Sequence, residues 1–397
     1  MIKTPREELT FRNGLLQDLL DEQGVDLALI VQNADLFYFG GTIQPGCLCV
    51  FRSGNPVYFS RKNLDRTARE SSLETIVPVR GFSDLRERLA DLGQGTVRRA
   101  AMELDVLPVN LLNRYREILP CREVVDLSPL VRTIRQVKSE YEIILLRQAA
   151  ALSDFMVETT RRFLRAGIPE IALAAEVERA ARLKGHEGFV RMRAFNQEVY
   201  WGHLVSGAEA AEPSYVHFTT GGGGLSAAFA GGSGFRVIRE REPVLFDLAA
   251  VRNGYHADQS RTFAVGGLPE VLERGYRVSL EIAGVLEEAL RAGVTAGDLY
   301  GKAEAVARRE GLGDHFMGSG RDRAGFCGHG LGLELDEEPV ISAGNPAPLR
   351  PGMALALEPK FVFPEAGVVG VEDTYVLREK GWEKLTSSGY EPAVEAS

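Results

Sequence analysis

The sequence predicts an α+β chain of two domains, a smaller α/β domain over residues 1–133 and a larger one over 134–397 built from a duplicated helix-helix-strand unit. Three observations carry this. The 397 residues exceed one ordinary domain of about 100–200 residues. Helical stretches alternate with short β-rich runs up to about residue 130. Beyond that point the chain contains an internal repeat.

From residue 7 onward the first domain interleaves helices with short strands. Val25-Asp26-Leu27-Ala28-Leu29-Ile30-Val31 reads as a buried strand, and Leu48 to Phe59 as a hairpin around Ser53-Gly54-Asn55. The unit has no phosphate-binding glycine loop. After Val131-Arg132-Thr133-Ile134-Arg135-Gln136-Val137-Lys138, Ser139-x-x-Glu142 forms a capping box that starts a long helix. Leu145, Ala149, Leu152, Met156 and Phe163 share one face of that helix, and Gly167 with Pro169 ends it. The domain boundary is placed near residue 133.

The repeat pairs the segment from Leu164-Arg165-Ala166-Gly167-Ile168 to Gly185 with that from Leu290-Arg291-Ala292-Gly293-Val294 to Gly311. Without gaps, Leu173/Leu299, Glu178/Glu304, Ala181/Ala307 and Arg182/Arg308 are also identical. Amphipathic helices rich in Ala, Arg and Glu resemble one another by composition, but identity at the turn glycine favours a duplicated helix-turn-helix. Two such halves facing each other create a cleft at their pseudo-two-fold interface, where binding sites tend to form.

Composition excludes several function classes. Hydrophobic residues make up 45% and charged residues 25%, as in ordinary globular proteins. Lysine and arginine number 46 against 55 aspartates and glutamates, so the formal charge of −9 offers nothing to a phosphate backbone or an anionic membrane. Cys47, Cys49, Cys121 and Cys327 are too few and scattered for a disulfide framework and are read as reduced thiols. The N-terminal residues show no apolar signal region, and no run approaches the ~18 apolar residues of a membrane span. A cytoplasmic protein is expected.

The chemistry lies in an acidic constellation. Leu245-Phe246-Asp247-Leu248 reads as a strand, followed across the turn Arg252-Asn253-Gly254 by Tyr255-His256-Ala257-Asp258-Gln259-Ser260-Arg261-Thr262. Antiparallel pairing is expected to set Asp247 beside Asp258, which is destabilising unless a cation lies between them. A metal would serve, and so would an arginine such as Arg261. Downstream, Gly328-His329-Gly330-Leu331-Gly332, Leu355-Ala356-Leu357-Glu358-Pro359 and Val369-Gly370-Val371-Glu372-Asp373 add an imidazole and two acids on apolar strands. Asp247, Asp258, Glu358 and Glu372 would bring four negative charges into a desolvated cleft, which two divalent ions neutralise. Oxygen-rich coordination with one imidazole puts manganese first, with cobalt, iron or zinc as alternatives.

Residues 134 to 385 resemble the pita-bread metallopeptidases, the group of Xaa-Pro dipeptidase (prolidase), aminopeptidase P and methionine aminopeptidase, together with the non-peptidase creatinase. The matching strings run from Phe246-Asp247-Leu248 to Asp258-Gln259-Ser260-Arg261-Thr262, then Gly328-His329-Gly330-Leu331-Gly332-Leu333-Glu334, Leu357-Glu358-Pro359 and Glu372-Asp373. The first 130 residues are similar to the α/β domain that precedes the catalytic domain in prolidase, aminopeptidase P and creatinase. The resemblance implies that Asp247 chelates one metal and His329 and Glu358 the other, with Asp258 and Glu372 bridging both. It implies that Glu358 shuttles the proton, that the reaction is hydrolysis of an Xaa-Pro bond at a free N-terminus, and that the protein is a homodimer.

Two family histidines are replaced. Asp336 stands seven residues after His329, in Asp336-Glu337-Glu338-Pro339, and Ser214 follows Pro213 where the second histidine is expected. An ionised Asp336 accepts hydrogen bonds but donates none, unlike imidazole. It could donate if protonated, or bind a substrate amine. His217, His203, Tyr200 and Trp201 lie in the same region and are candidates to line the cleft, each with an ordinary surface or core reading beside it. Gly221 to Gly224 is expected to form a mobile lid. His186, His256 and His315 have no supporting motif, and His256 is expected to face outward. The alternatives to an Xaa-Pro peptidase are an enzyme acting on a small non-peptide C–N compound, as creatinase does, and a metal-retaining binding protein without turnover.

Overall fold

The computed structural model describes residues 2–92, 97–119, 121–216 and 218–395. The chain divides into two compact units, Met1–Arg135 with Arg193–Asn196, and Gln136–Met192 with Gln197–Ser397.

The first unit is built on a six-stranded mixed sheet. In chain order its elements are α1 (Arg6–Glu22), β1 (Leu27–Ile30), α2 (Asn33–Gly40), β2 (Gly46–Phe51), β3 (Val57–Ser60), α3 (Leu64–Glu70), β4 (Thr75–Pro78), α4 (Phe82–Asp91), β5 (Arg99–Met102), α5 (Val109–Ile118), β6 (Glu123–Asp126) and α6 (Ser128–Arg135). The strand order is β4-β3-β2-β1-β5-β6. The expected hairpin is β2 with β3, joined in antiparallel register from Cys49↔Val57 to Gly46↔Ser60. All four β1 residues are buried, as a strand covered on both faces requires. The four cysteines are free thiols.

The second unit repeats one plan twice. Helices α7 (Glu140–Phe163) and α8 (Glu170–Leu183) precede β7 (Gly202–Ser206), β8 (Val244–Leu248), β9 (Ala250–Arg252), β10 (Tyr255–Ala257) and β11 (Ser260–Val265). Helices α9 (Glu270–Ala289) and α10 (Ala296–Arg309) precede β12 (Gly328–Gly330), β13 (Ala354–Leu357), β14 (Lys360–Phe363), β15 (Gly367–Gly370), β16 (Asp373–Leu377), β17 (Trp382–Lys384) and the short β18 (Ala393–Val394). Two four-stranded sheets result, ordered β18-β11-β8-β7 and β12-β13-β16-β17. The repeat read from the sequence maps onto them directly. Helices α8 and α10 both have 14 residues, and the turns before them place Gly167 and Gly293 at φ of +89° and +87°. Only glycine takes that conformation without steric cost.

Local signals explain the helix starts. The Ser139 side chain accepts from the Glu142 backbone N–H while Glu142 accepts from that of Ser139, and Thr295 and Asp298 make the same reciprocal pair on α10. Each helix pair covers its own sheet: Leu152, Met156 and Val177 pack with Phe246 and Phe263, and Leu286, Leu299 and Ala303 pack with Leu355, Leu357 and Tyr375.

Candidate metal centre

The acids and the imidazole arrive from both halves of the second unit. Asp247 is the fourth residue of β8, and Asp258 sits between β10 and β11. The turn joining β9 to β10 places Asn253 and Gly254 at positive φ, the requirement of a tight two-residue hairpin. His329 is the middle residue of β12, Glu358 follows β13, and Glu372 lies between β15 and β16. All five line one cleft, and Asp258, His329, Glu358 and Glu372 are buried.

The register differs from the expected pairing of the two aspartates. Asp247 lies opposite Ser260, not Asp258. Ser260 Oγ is 2.8 Å from Asp247 Oδ1 and 2.7 Å from Glu372 Oε2, so this hydroxyl lies between acids from the two halves, with one proton to donate to either. Nor is Arg261 the cation between them. Its guanidinium donates to Asp373 Oδ1 at 2.7 Å and to the carbonyls of Glu372, Ser388 and Gly389.

The cation is Lys360, which sequence reasoning missed. Its Nζ donates to Glu358 Oε2 at 2.8 Å, to Asp247 Oδ2 at 3.0 Å and to Glu372 Oε2 at 3.0 Å. The ammonium has three donors, and three carboxylates take them. A signal was present: Lys360 lies two residues after Glu358 in an apolar stretch continuing Phe361-Val362-Phe363, and extended chain points alternate residues to the same side.

These contacts set the charge states. Burial works against ionised Asp247, but the Lys360 ammonium outweighs it and holds the carboxyl below its usual range. Asp258, buried beside Glu372 and Asp247, is pushed well above it. Burial raises Glu372 to about 7 against the pull of Lys360, and Glu358 is raised for the same reason. Burial disfavours protonated His329, yet Asp336, Glu358, Asp258 and Glu372 together lift it to about 9.

A second position for a cation lies beside the ammonium. Ligand atoms of Asp258, His329 and Glu372 all fall within 4.8 Å of one another. His329 Nε2 is 3.8 Å from Asp258 Oδ2, 3.8 Å from Glu372 Oε1 and 3.9 Å from Glu358 Oε1. Glu372 Oε1 is buried without a hydrogen-bond partner among the described residues. A buried, unpaired carboxylate oxygen facing an imidazole and two more acids fits a divalent ion.

The other sequence candidates divide. His203 lines the cleft from β7, in register with Asp247, and neither ring nitrogen has a hydrogen-bond partner among the described residues. Burial holds its pKa below the usual value, so the ring is neutral. Asp336 also lines the cleft, with Oδ1 3.5 Å from His329 Nδ1. Trp201 is instead buried and stacked on His186 at a centroid distance of 3.7 Å. Tyr200 is exposed, with its hydroxyl on Glu178, and the Ser214 hydroxyl accepts from the Val216 backbone in its own turn. None of these three lines the cleft. His217 lies outside the described residues.

One further expectation is corrected. His256 is buried, its Nε2 accepting from the Arg191 backbone and its Nδ1 donating to the Gly332 carbonyl, which ties β10 to the loop after His329. In the loop of the glycine run, Gly221 N donates to the Glu212 carbonyl and Gly224 N to that of Gly232. A Cβ on Gly222 would lie 2.5 Å from Val205 Cγ1, so the glycines permit close packing. Val199, Phe218, Thr219 and Phe326 complete the cleft wall. No spacing rule singles them out in the sequence.

Residues 144–379 match the sequence pattern of metallopeptidase family M24, and residues 12–137 match the creatinase/prolidase N-terminal domain. The chain is 27% identical to an Xaa-Pro dipeptidase from Pyrococcus furiosus, over 94% of this chain and 97% of that one. An Xaa-Pro dipeptidase from Bacillus anthracis superposes with a TM-score of 0.82 at 24% identity, covering 98% of this chain and 99% of that one. An X-Pro aminopeptidase from Thermotoga maritima gives 0.79 at 24% identity, covering 97% and 99%. The two superpositions show a shared fold.

Proposed function

Because the chain belongs to metallopeptidase family M24, we propose that it hydrolyses the Xaa-Pro bond at the N-terminus of short peptides. Residues 134–397 would be the pita-bread catalytic domain and residues 1–133 the creatinase-type domain, in a cytoplasmic homodimer without nucleic-acid or membrane partners. The observation that carries this reading is the buried corner of Asp258, His329 and Glu372, with Glu358 beside it. A divalent ion bound there supplies a water of lowered pKa and polarises the scissile carbonyl.

Asp258, His329, Glu358 and Glu372 are the residues to hold that ion, with manganese first and cobalt, iron or zinc as alternatives. Asp247 is held by Ser260 and Lys360. With an ammonium among them, the four carboxylates no longer call for two divalent ions. Glu358 accepts the proton from the attacking water and passes it to the leaving amine. Neutral His203, whose ring nitrogens have no partner among the described residues, donates to the substrate in place of the imidazole that Ser214 does not supply. Asp336 orients His329 from behind, and a substrate amine could also reach its partly exposed carboxylate.

The test is a matched panel of Xaa-Pro dipeptides, Xaa-Pro tripeptides and non-proline controls, assayed with manganese and with cobalt against a chelated blank. Metal-dependent cleavage confined to proline peptides is expected, and the preferred length separates dipeptidase from aminopeptidase. No cleavage by protein shown to hold metal would overturn the reading. Small C–N compounds would then come first, because Asp336 places an acid where a peptidase is expected to have imidazole.

A further inference from the structure

Lys360 donates to the same acids that the sequence assigns to two metal ions. We propose that its ammonium permanently fills one of the two cation positions, so that the chain takes a single divalent ion, at Asp258, His329, Glu358 and Glu372. This rests on the metal-dependent reading above and narrows it to a mononuclear centre.

The division of oxygens supports the assignment. Glu358 gives Oε2 to Lys360 and turns Oε1 toward His329, and Glu372 does the same with its own pair. The two glutamates therefore bridge two cation positions, and the chain's own nitrogen occupies the first. Asp247 meets the first position, through Lys360 and Ser260. Asp258 meets the second, through His329.

The lysine is built in and does not swing freely. Its side chain is 3% exposed. Across the β14–β15 hairpin its register partner is Gly370, where a Cβ would lie 2.6 Å from Lys360 Cγ. Glycine there leaves the passage through which the lysine reaches the acids. A second divalent ion on the same oxygens would have to lie against this buried ammonium, and like charges in a desolvated site repel strongly.

Metal stoichiometry tests this without reference to turnover. Full-length protein stripped with chelator is titrated with manganese, and bound metal is counted by elemental analysis after desalting. One ion per wild-type chain and two per Lys360→Gly chain are expected. Two ions in the wild type, or none, would overturn the proposal, and so would one ion in both proteins. Should Lys360→Gly fail to fold, paramagnetic resonance of manganese-saturated wild type decides alone. An isolated six-line signal supports a single ion, and an exchange-coupled pair overturns it. Absent peptidase activity with one bound ion would refute the Xaa-Pro reading and leave this one standing.

Discussion

Asp336 Oδ1 lies 3.5 Å from Nδ1 of His329, on the side of the ring opposite the acids that face Nε2. The Gly330 carbonyl, 3.0 Å from the same Nδ1, helps fix the ring. The Gly330 carbonyl selects the tautomer that leaves Nε2 free, and the Asp336 carboxylate behind the ring raises its basicity. Asp336→Asn is therefore expected to weaken manganese binding by about 10–100-fold while the fold is retained. Unchanged affinity in a metal titration would remove Asp336 from this role.

Glu358 carries a separate expectation. Glu358→Gln keeps the shape and an acceptor for Lys360 but has no carboxylate to take a proton. Turnover should fall by at least about 100-fold, as loss of a general base does, with metal still bound through Asp258, His329 and Glu372. Retained activity at full metal loading would refute the proton-shuttle role.

In the first unit, buried Glu103 accepts from the backbone N–H groups of Val31 and Gln32. Burial and the nearby Asp35 raise its pKa to about 8, against an ordinary 4.5. Between those values the folded protein holds a proton that the unfolded chain releases, so stability falls as pH rises through this window. Glu103→Gln should remove that slope, and its stability relative to wild type should grow by a few kcal/mol from pH 5 to pH 8. Parallel denaturation curves at both pH values would contradict it.

The capping boxes offer a matched pair. Ser139→Ala and Thr295→Ala each leave an N3 backbone N–H without its side-chain acceptor at the start of a helix. Each should cost about 0.5–2 kcal/mol by chemical denaturation. Ser139 stands at the start of the 24-residue α7, so a change within error there would show that the packed face alone holds the helix.

The duplicated plan was legible because glycine at +89° and +87° has a steric requirement that identical turns preserve as sequence. The four acids and the imidazole were legible as strings on apolar strands, and the capping box as a spacing. Register was not: Asp247 faces Ser260 because β8 and β11 align by whole-strand pairing, which no dipeptide specifies. Lys360 was passed over because a lone lysine near a strand end ordinarily reads as solvated. Its burial depends on Gly370 across the hairpin, ten residues away in the chain. His256 was misread for a similar reason. Its partners, Arg191 and Gly332, come from two distant loops.

A metal ion is in exchange with its surroundings, and its occupancy follows the free concentration outside. The nitrogen on β14 is not. It is made with the polypeptide, cannot be dialysed away, and holds its station beside Asp247 at an effective concentration set only by four methylenes of side chain. The Asp247 side of the acidic cluster thus keeps its counter-ion through metal starvation and chelation alike, leaving only the His329 side to be loaded from the medium.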